Sequence, residues 1–438
     1  MRPVSRAIDR VRVVFDEPGL VADAGLMVVA TLVARLGLEE LIDATVRFTD
    51  RKGGFMPGRK VLTIVHAMIA GASHIGHANR LRAGATGRVV GHRVMAPSTL
   101  GTFLRAFSFG HVRQLDAVIA ESGRRAWRLG IGPGAARLVV DVDSTICQVY
   151  GRAKSGAAYG YTKVLGYHPI LAVRADTGEI VHARMRKGSA NTARGTIRFI
   201  EELVGRLRRA GAAGEIVMRF DSGFWSKHTI VTLGRLNVRY SMAVRCGNVA
   251  VAKAIATIAE NAWAPIAYTA EGIAQVAECD YKGRRLIVRR TRLADPAQQA
   301  LFPNWRHHAF LTDLDGIAVE ADRFHRAHAT VELAIRDIKE GSGLAHCPSG
   351  NFNANGAWLA CAVLAHNLCR WTALAGGVHP DNELTVAATL RTQLIAVPGR
   401  LVNHAGTPTL RGPLNWPWQQ RFTQALQRIR QLPAAVPG

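Results

Sequence analysis

The stretch Leu138-Val139-Val140-Asp141-Val142-Asp143-Ser144-Thr145 constrains the fold more than any other part of the chain. An aliphatic run that ends in two carboxylates and two hydroxyls reads as a buried central strand delivering acids to a sheet edge. Side chains alternate along a strand, so Asp141 and Asp143 point to one side and Val140 and Val142 to the other. Either these acids do chemistry or they accept loop hydrogen bonds at a strand end. Their partners must come from elsewhere in the chain.

Two further strand patterns, Tyr167 to Val173 and Ile180 to Met185, are joined by the turn Asp176-Thr177-Gly178. Ile197, Ile200, Leu203, Val204 and Leu207 then recur at helical spacing, and a strand from Glu215 to Phe220 follows. That strand ends in Asp221, within Phe220-Asp221-Ser222-Gly223-Phe224, where Ser-Gly permits a sharp turn that leaves the acid reachable. Three strands, a helix and a strand, with acids closing the first and fourth strands, predict an α/β core that assembles a carboxylate site from distant segments. Paired hard carboxylates suit magnesium or manganese.

From 237 to 320 the chain reads as a β-rich insertion into that core. Tyr240 to Val244, Ile273 to Cys279, Leu286 to Thr291 and His308 to Thr312 are strand patterns, with Tyr281-Lys282-Gly283-Arg284 as a hairpin turn. Trp263 and Trp305 fall within it, each either an ordinary core tryptophan or a platform for an extruded base. One helix is expected from Phe324 to Gly341, with Gly341 at its C-terminal cap. Phe324, Ala327, Val331, Ile335 and Ile338 form its apolar stripe, and His325, His328, Glu332, Arg336 and Lys339 share one polar face. That face is either simply solvated, or Glu332 completes a metal site while Lys339 and Arg336 grip a phosphate. The next helix, Asn355 to about Ala373, is apolar nearly all round and should pack underneath.

Composition bears on the partner. Lys and Arg number 56 against 32 Asp and Glu, a net charge of +24, which a polyanion such as nucleic acid explains best. No stretch joins a basic face to a long apolar one, and the most apolar run, Ala357 to Ala365, is far shorter than the ~20 residues of a membrane span. Six well-separated cysteines without a Cys-x-x-Cys pair read as reduced thiols in a cytoplasmic protein. Residues 1–130 read as helical, either a DNA-binding unit of the helix-turn-helix kind or a plain dock for the core. Residues 376–438 read as a basic tail, with six arginines and no acid after Glu383. A core in two parts, 131–236 and 321–375, completes the expected division.

Asp143 in Asp-Ser-Thr, Asp221 in Phe-Asp-Ser-Gly-Phe, and Glu332 with Lys339 together resemble the catalytic core of bacterial insertion-sequence transposases of the DDE type. The similarity is greatest to the insertion sequence 1380 family of the wider insertion sequence 4 superfamily, over roughly residues 95 to 420. The resemblance implies an RNase H-like fold in which Asp143, Asp221 and Glu332 bind two Mg2+ or Mn2+ ions. It implies cut-and-paste cleavage and strand transfer on duplex DNA at terminal inverted repeats and target sites, by a homodimer in a synaptic complex. The superfamily carries Tyr and Arg seven and four positions before the glutamate, where this chain has His325 and His328. With Lys339 and Arg336, these are the residues expected to contact DNA.

Other readings stand beside this one. Asp141 is an alternative to Asp143 as first ligand, although the Asp-x-Thr register favours Asp143. The same strand resembles the nucleophile motif of haloacid-dehalogenase-type phosphatases, with Asp141 as nucleophile and Asp143 as acid/base. A DNA-binding protein descended from a transposase but without catalysis is a third.

Overall fold

A nine-stranded mixed sheet runs through the protein, seen in a computed structural model that describes residues 11–49, 53–151, 153–160, 162–268, 272–293, 305–378 and 385–434. Its strands are β1 (Leu138–Ser144), β2 (Ile170–Arg174), β3 (Ile180–Arg184), β4 (Ile216–Phe220), β5 (Arg239–Val244), β6 (Ala264–Pro265), β7 (Gly272–Asp280), β8 (Arg285–Leu293) and β9 (Arg306–Thr312). They lie in the order β6-β7-β8-β9-β5-β4-β1-β2-β3. β1, β4 and β5 run parallel, whereas β2 and β3 are antiparallel additions on the other side of β1. The longer helices are α1 (Leu26–Arg35), α2 (Leu38–Thr45), α3 (Pro57–Ile69), α4 (Pro97–Arg105), α5 (Phe109–Ala126), α6 (Thr196–Ala210), α7 (Lys227–Arg235), α8 (Ala318–Arg326), α9 (Thr330–Gly341), α10 (Phe352–Gly376) and α11 (Gln419–Gln431).

The alternation expected of β1 determines its packing. Val140 and Val142 enter one core together with Phe199, Leu203 and Leu207 of α6. On the other side of the sheet, Leu171, Val173 and Ile180 join a second core built largely from helices. α10 is the hub of that second core. It is buried around nearly its whole circumference and packs against α1, α3, α4, α5, α11 and β3. No helix among the described residues is long and apolar enough to cross a membrane.

The β-rich stretch after β5 is not a separate layer. β9 pairs antiparallel with β5, Ala309 opposite Val244 and Thr312 opposite Ser241, so β6 to β9 extend the central sheet. The β7–β8 hairpin turns at Lys282 and Gly283, whose φ values of 57° and 72° suit the tight turn read from the sequence.

Three expectations are corrected. The strand expected over 167–173 is two strands: Leu165–Tyr167 lies in a small separate sheet, and β2 begins only after His168-Pro169. Proline has no N–H to give a ladder, so the pairing restarts beyond it. The helix expected from 324 to 341 is broken by a 3-10 turn at Ala327–Ala329. The carbonyl of Phe324, which an unbroken helix would offer to the His328 N–H, accepts a guanidinium N–H of Arg219 at 2.7 Å. Finally, the basic stretch near the C-terminus is folded rather than a tail. Gly399–His404 and Thr407–Arg411 form a hairpin against Leu20–Val21, and α11 buries Ala425, Leu426 and Ile429 against α1 and α10.

Candidate active site

Parallel pairing of β1 with β4 sets Val142 beside Phe220, so the next residue of each strand path, Asp143 and Asp221, emerges at the same sheet edge. Glu332 lies in the first turn of α9, which packs against β1. Asp143 is half-buried, whereas Asp221 and Glu332 are exposed. Asp143 Oδ1 accepts from the Ser144 N–H at 2.6 Å, and Asp221 Oδ1 from the Ser222 N–H at 2.6 Å.

Electrostatics show that the three acids share one neighbourhood. Burial most of all, and then the negative charges of Asp221 and Glu332, raise the Asp143 carboxyl to about 6, against the Ser144 N–H and His328, which pull it down. None of the three forms an ion pair among the described residues, in a chain that carries a surplus of +24. Nor do any three His, Cys, Asp or Glu side chains among the described residues converge tightly enough to hold a metal ion. The donor chemistry is of the kind a hard divalent cation takes: three carboxylates without arginine partners, whose like charges repel one another.

Asp141 is different in every respect. It is fully buried, and its register partner on β4 is Arg219. The guanidinium holds it bidentately, Nε to Oδ1 at 2.6 Å and Nη2 to Oδ2 at 2.7 Å, while His328 Nδ1 reaches Oδ1 at 2.8 Å. Both oxygens are engaged and no solvent reaches them. That geometry removes Asp141 as the nucleophile of a phosphatase and as a replacement for Asp143 at a metal.

The expected polar face divides at the 3-10 turn. Glu332 and Arg336 are exposed and Lys339 is half-buried, all on α9. His325 points inward instead, 5% exposed, its Nδ1 2.7 Å from Ser241 Oγ and its ring stacked on Phe310 at 4.1 Å. Burial holds its imidazole well below the ordinary value. His325 is therefore packed against the sheet and offers no face to a phosphate. His328 is half-buried and tied to Asp141. Trp263 is buried and Trp305 half-buried, and the Arg290 guanidinium lies over both rings, 4.2 Å from one centre and 4.4 Å from the other. Arg290 is itself paired with Glu260 at 2.7 Å, so both tryptophans carry a structural cation contact.

Two contributors escaped the reading of the sequence. Arg219 stands two residues before Asp221, the same spacing as Asp141 before Asp143, so each strand carries one structural charge and one tip acid. That shared spacing was the available signal. Asp322 of α8, fully buried, pairs with Arg289 of β8 and with Arg326, both at 2.8 Å, and pins α8 to the sheet extension; nothing in its local sequence marks it.

The sequence profile of a family described as "Transposase DDE domain group 1" matches residues 5–434. No curated protein matches the chain. Among solved structures, the chain is similar to a piggyBac transposase in a synaptic complex with hairpin DNA, determined by cryo-electron microscopy. The TM-score is 0.47 at 10% identity, covering 95% of this chain and 85% of that one.

Proposed function

The chain belongs to the DDE transposases of domain group 1, and on that premise we propose that Asp143, Asp221 and Glu332 are the acids with which it cuts and rejoins DNA at the ends of its own element. The observation that carries this reading is that none of the three, two exposed and one half-buried, has an ionic partner at the ends of β1 and β4 and the start of α9. The strand order β3-β2-β1-β4-β5, three antiparallel strands followed by two parallel ones, supports an RNase H-like core within the larger sheet. Membership of the insertion sequence 1380 family and a bacterial cytoplasmic setting belong to the same proposal.

The three carboxylates would hold two Mg2+ or Mn2+ ions. Bound there, the ions supply charge stabilisation to the attacking and leaving oxygens of an in-line displacement. The remaining work falls to the chain. Arg336 and Lys339, on the same helix as Glu332, present positive charge to the phosphates flanking the reacting one, fixing position without reading sequence. Beside Asp221 lies an open cleft of ≈ 500 Å³, lined by Ser222, Gly223, Trp225, Arg245, Asn248 and Tyr281, that gives a DNA end room to approach. Two copies acting on paired ends, with target DNA joined afterwards, complete the proposal.

The test is metal-dependent cleavage and strand transfer on a duplex carrying the inverted repeats that flank the coding sequence. Activity in the native chain, lost in Asp143→Asn, Asp221→Asn and Glu332→Gln while each variant stays folded, is the expected result. Undiminished cleavage in any of the three would refute the assignment of that residue.

A further inference from the structure

We propose that Asp141, Arg219 and His328 form a clamp that positions Glu332, an inference that rests on reading Glu332 as a metal ligand. Arg219 uses all three of its nitrogens: Nε and Nη2 on Asp141, and Nη1 on the carbonyl of Phe324 at 2.7 Å. Its guanidinium also lies 5.0 Å from the centre of the Phe324 ring. His328 completes the clamp through Nδ1 on Asp141 Oδ1, the oxygen that Arg219 Nε also holds. An ionised carboxylate only accepts, so this contact assigns the proton of His328 to Nδ1.

The two tied residues, Phe324 and His328, both precede Glu332 in the chain, one at the end of α8 and one in the turn that leads into α9. The 3-10 turn Ala327–Ala329 lies between the end of α8 and the start of α9, the place where the direction of α9 could drift. One tie sits just before that turn and the other within it. A buried ion pair stabilises a fold no better than well-packed apolar residues of its volume. What Asp141 adds is direction: it fixes one angle between the sheet that carries Asp143 and Asp221 and the helix that carries Glu332. The first acid of Asp-x-Asp thus aims the site without entering it, and His328 faces the sheet rather than the DNA.

The measurement is Mn2+ binding to the full-length protein without DNA, by electron paramagnetic resonance. Side-chain groups that orient a metal's ligands are worth about 10- to 100-fold in affinity. His328→Ala should weaken Mn2+ binding by about that factor, and His328→Asn, which keeps a donor near the Nδ1 position, should restore most of it. Arg219→Lys, which keeps the charge and loses the fork, should weaken Mn2+ as His328→Ala does. If Arg219→Lys does not fold, the Ala and Asn pair at 328 decides. Binding of a fluorescent duplex in EDTA should be unchanged in all of them. Native Mn2+ affinity in His328→Ala overturns the clamp, as does a loss of duplex binding with metal affinity intact, which would make His328 a phosphate contact. Failure of the native chain itself to bind Mn2+ would overturn the metal reading beneath it, an outcome distinct from failure of the clamp alone.

Discussion

The molecule holds two groups of acids built from the same residue types and set to opposite ends. In one, Asp116 of α5 is held by Arg113 at 2.6 Å and Arg206 at 2.5 Å, and Glu202 of α6 by Arg113 at 3.0 Å, Arg198 at 3.1 Å and Arg184. Fully buried His182 of β3 lies between them, 3.5 Å from Asp116 and 3.6 Å from Glu202, with its ring stacked on Phe199. Burial alone would raise the Asp116 carboxyl, but His182 and Arg206 outweigh it and bring it below the usual range. His182 first, and then Arg184 and Arg113, do the same for Glu202. In the other group, Asp143, Asp221 and Glu332 lack such partners, and Asp143 is pushed upward. Compensated acids weld helices to a sheet. The uncompensated ones, at two strand ends and one helix start, leave their charge unopposed.

That contrast can be broken most forcefully at the uncompensated group. Asp143→Asn, Asp221→Asn or Glu332→Gln should each lower DNA cleavage by about 10³-fold, or about 4 kcal/mol of lost charge stabilisation. The melting temperature of Asp143→Asn should stay level or rise, because a repulsion has been removed. Asp116→Asn should do the reverse. Leaving Arg206 and His182 short of a buried partner should cost about 3 kcal/mol in urea unfolding, with the cleavage rate per folded molecule intact.

The pH dependence sharpens the comparison further. Folding holds Asp116 and Glu202 below their unfolded values, so their stabilisation is present above the unfolded carboxylate range and is lost as pH falls towards the folded values. Urea titrations at a series of pH values should show native stability falling below about pH 5, by on the order of 1–2 kcal/mol more than in a double Asp116→Asn, Glu202→Gln variant. Equal slopes would mean the network contributes nothing that protons can remove. The smallest effect is expected at Arg198, whose side chain is 78% exposed beside Glu202. Arg198→Ala should change stability by less than about 0.5 kcal/mol.

How much of this was legible in the sequence follows from range. The place of Asp143 and Asp221 at strand ends could be read because each closes an apolar strand and the period of two is local. α10 could be found from its apolar run Ala357 to Ala365, and the β7–β8 turn from Lys282-Gly283. What could not be read was register. That Asp141 falls opposite Arg219 depends on how β1 and β4 slide past one another across 78 residues, and no local pattern carries that offset. The break at Ala327–Ala329 was hidden for the same reason, since the competing donor on Phe324 comes from β4. The periodicity that put His325 and His328 on the face of Glu332 assumed a continuous helix, and the 3-10 turn takes His325 into the core. Sequence likewise showed a β-rich stretch after β5 without showing that β9 would join β5 edge to edge.

The enclosure of α10 has a consequence for how the protein is made. Its wrapping comes from α1, α3, α4 and α5 early in the chain, β3 in the middle, and α11 starting at Gln419. A chain emerging from the ribosome folds its early parts first, yet here the apolar surfaces of α1 and α10 are covered by α11, which is made much later. Closure of this core would thus follow synthesis of α11 rather than of the early helices it covers. A stop codon at Gln419 should yield a product that proteases clear in a pulse–chase experiment and that leaves DNA uncut; a stable, cutting fragment would show that synthesis imposes no such order.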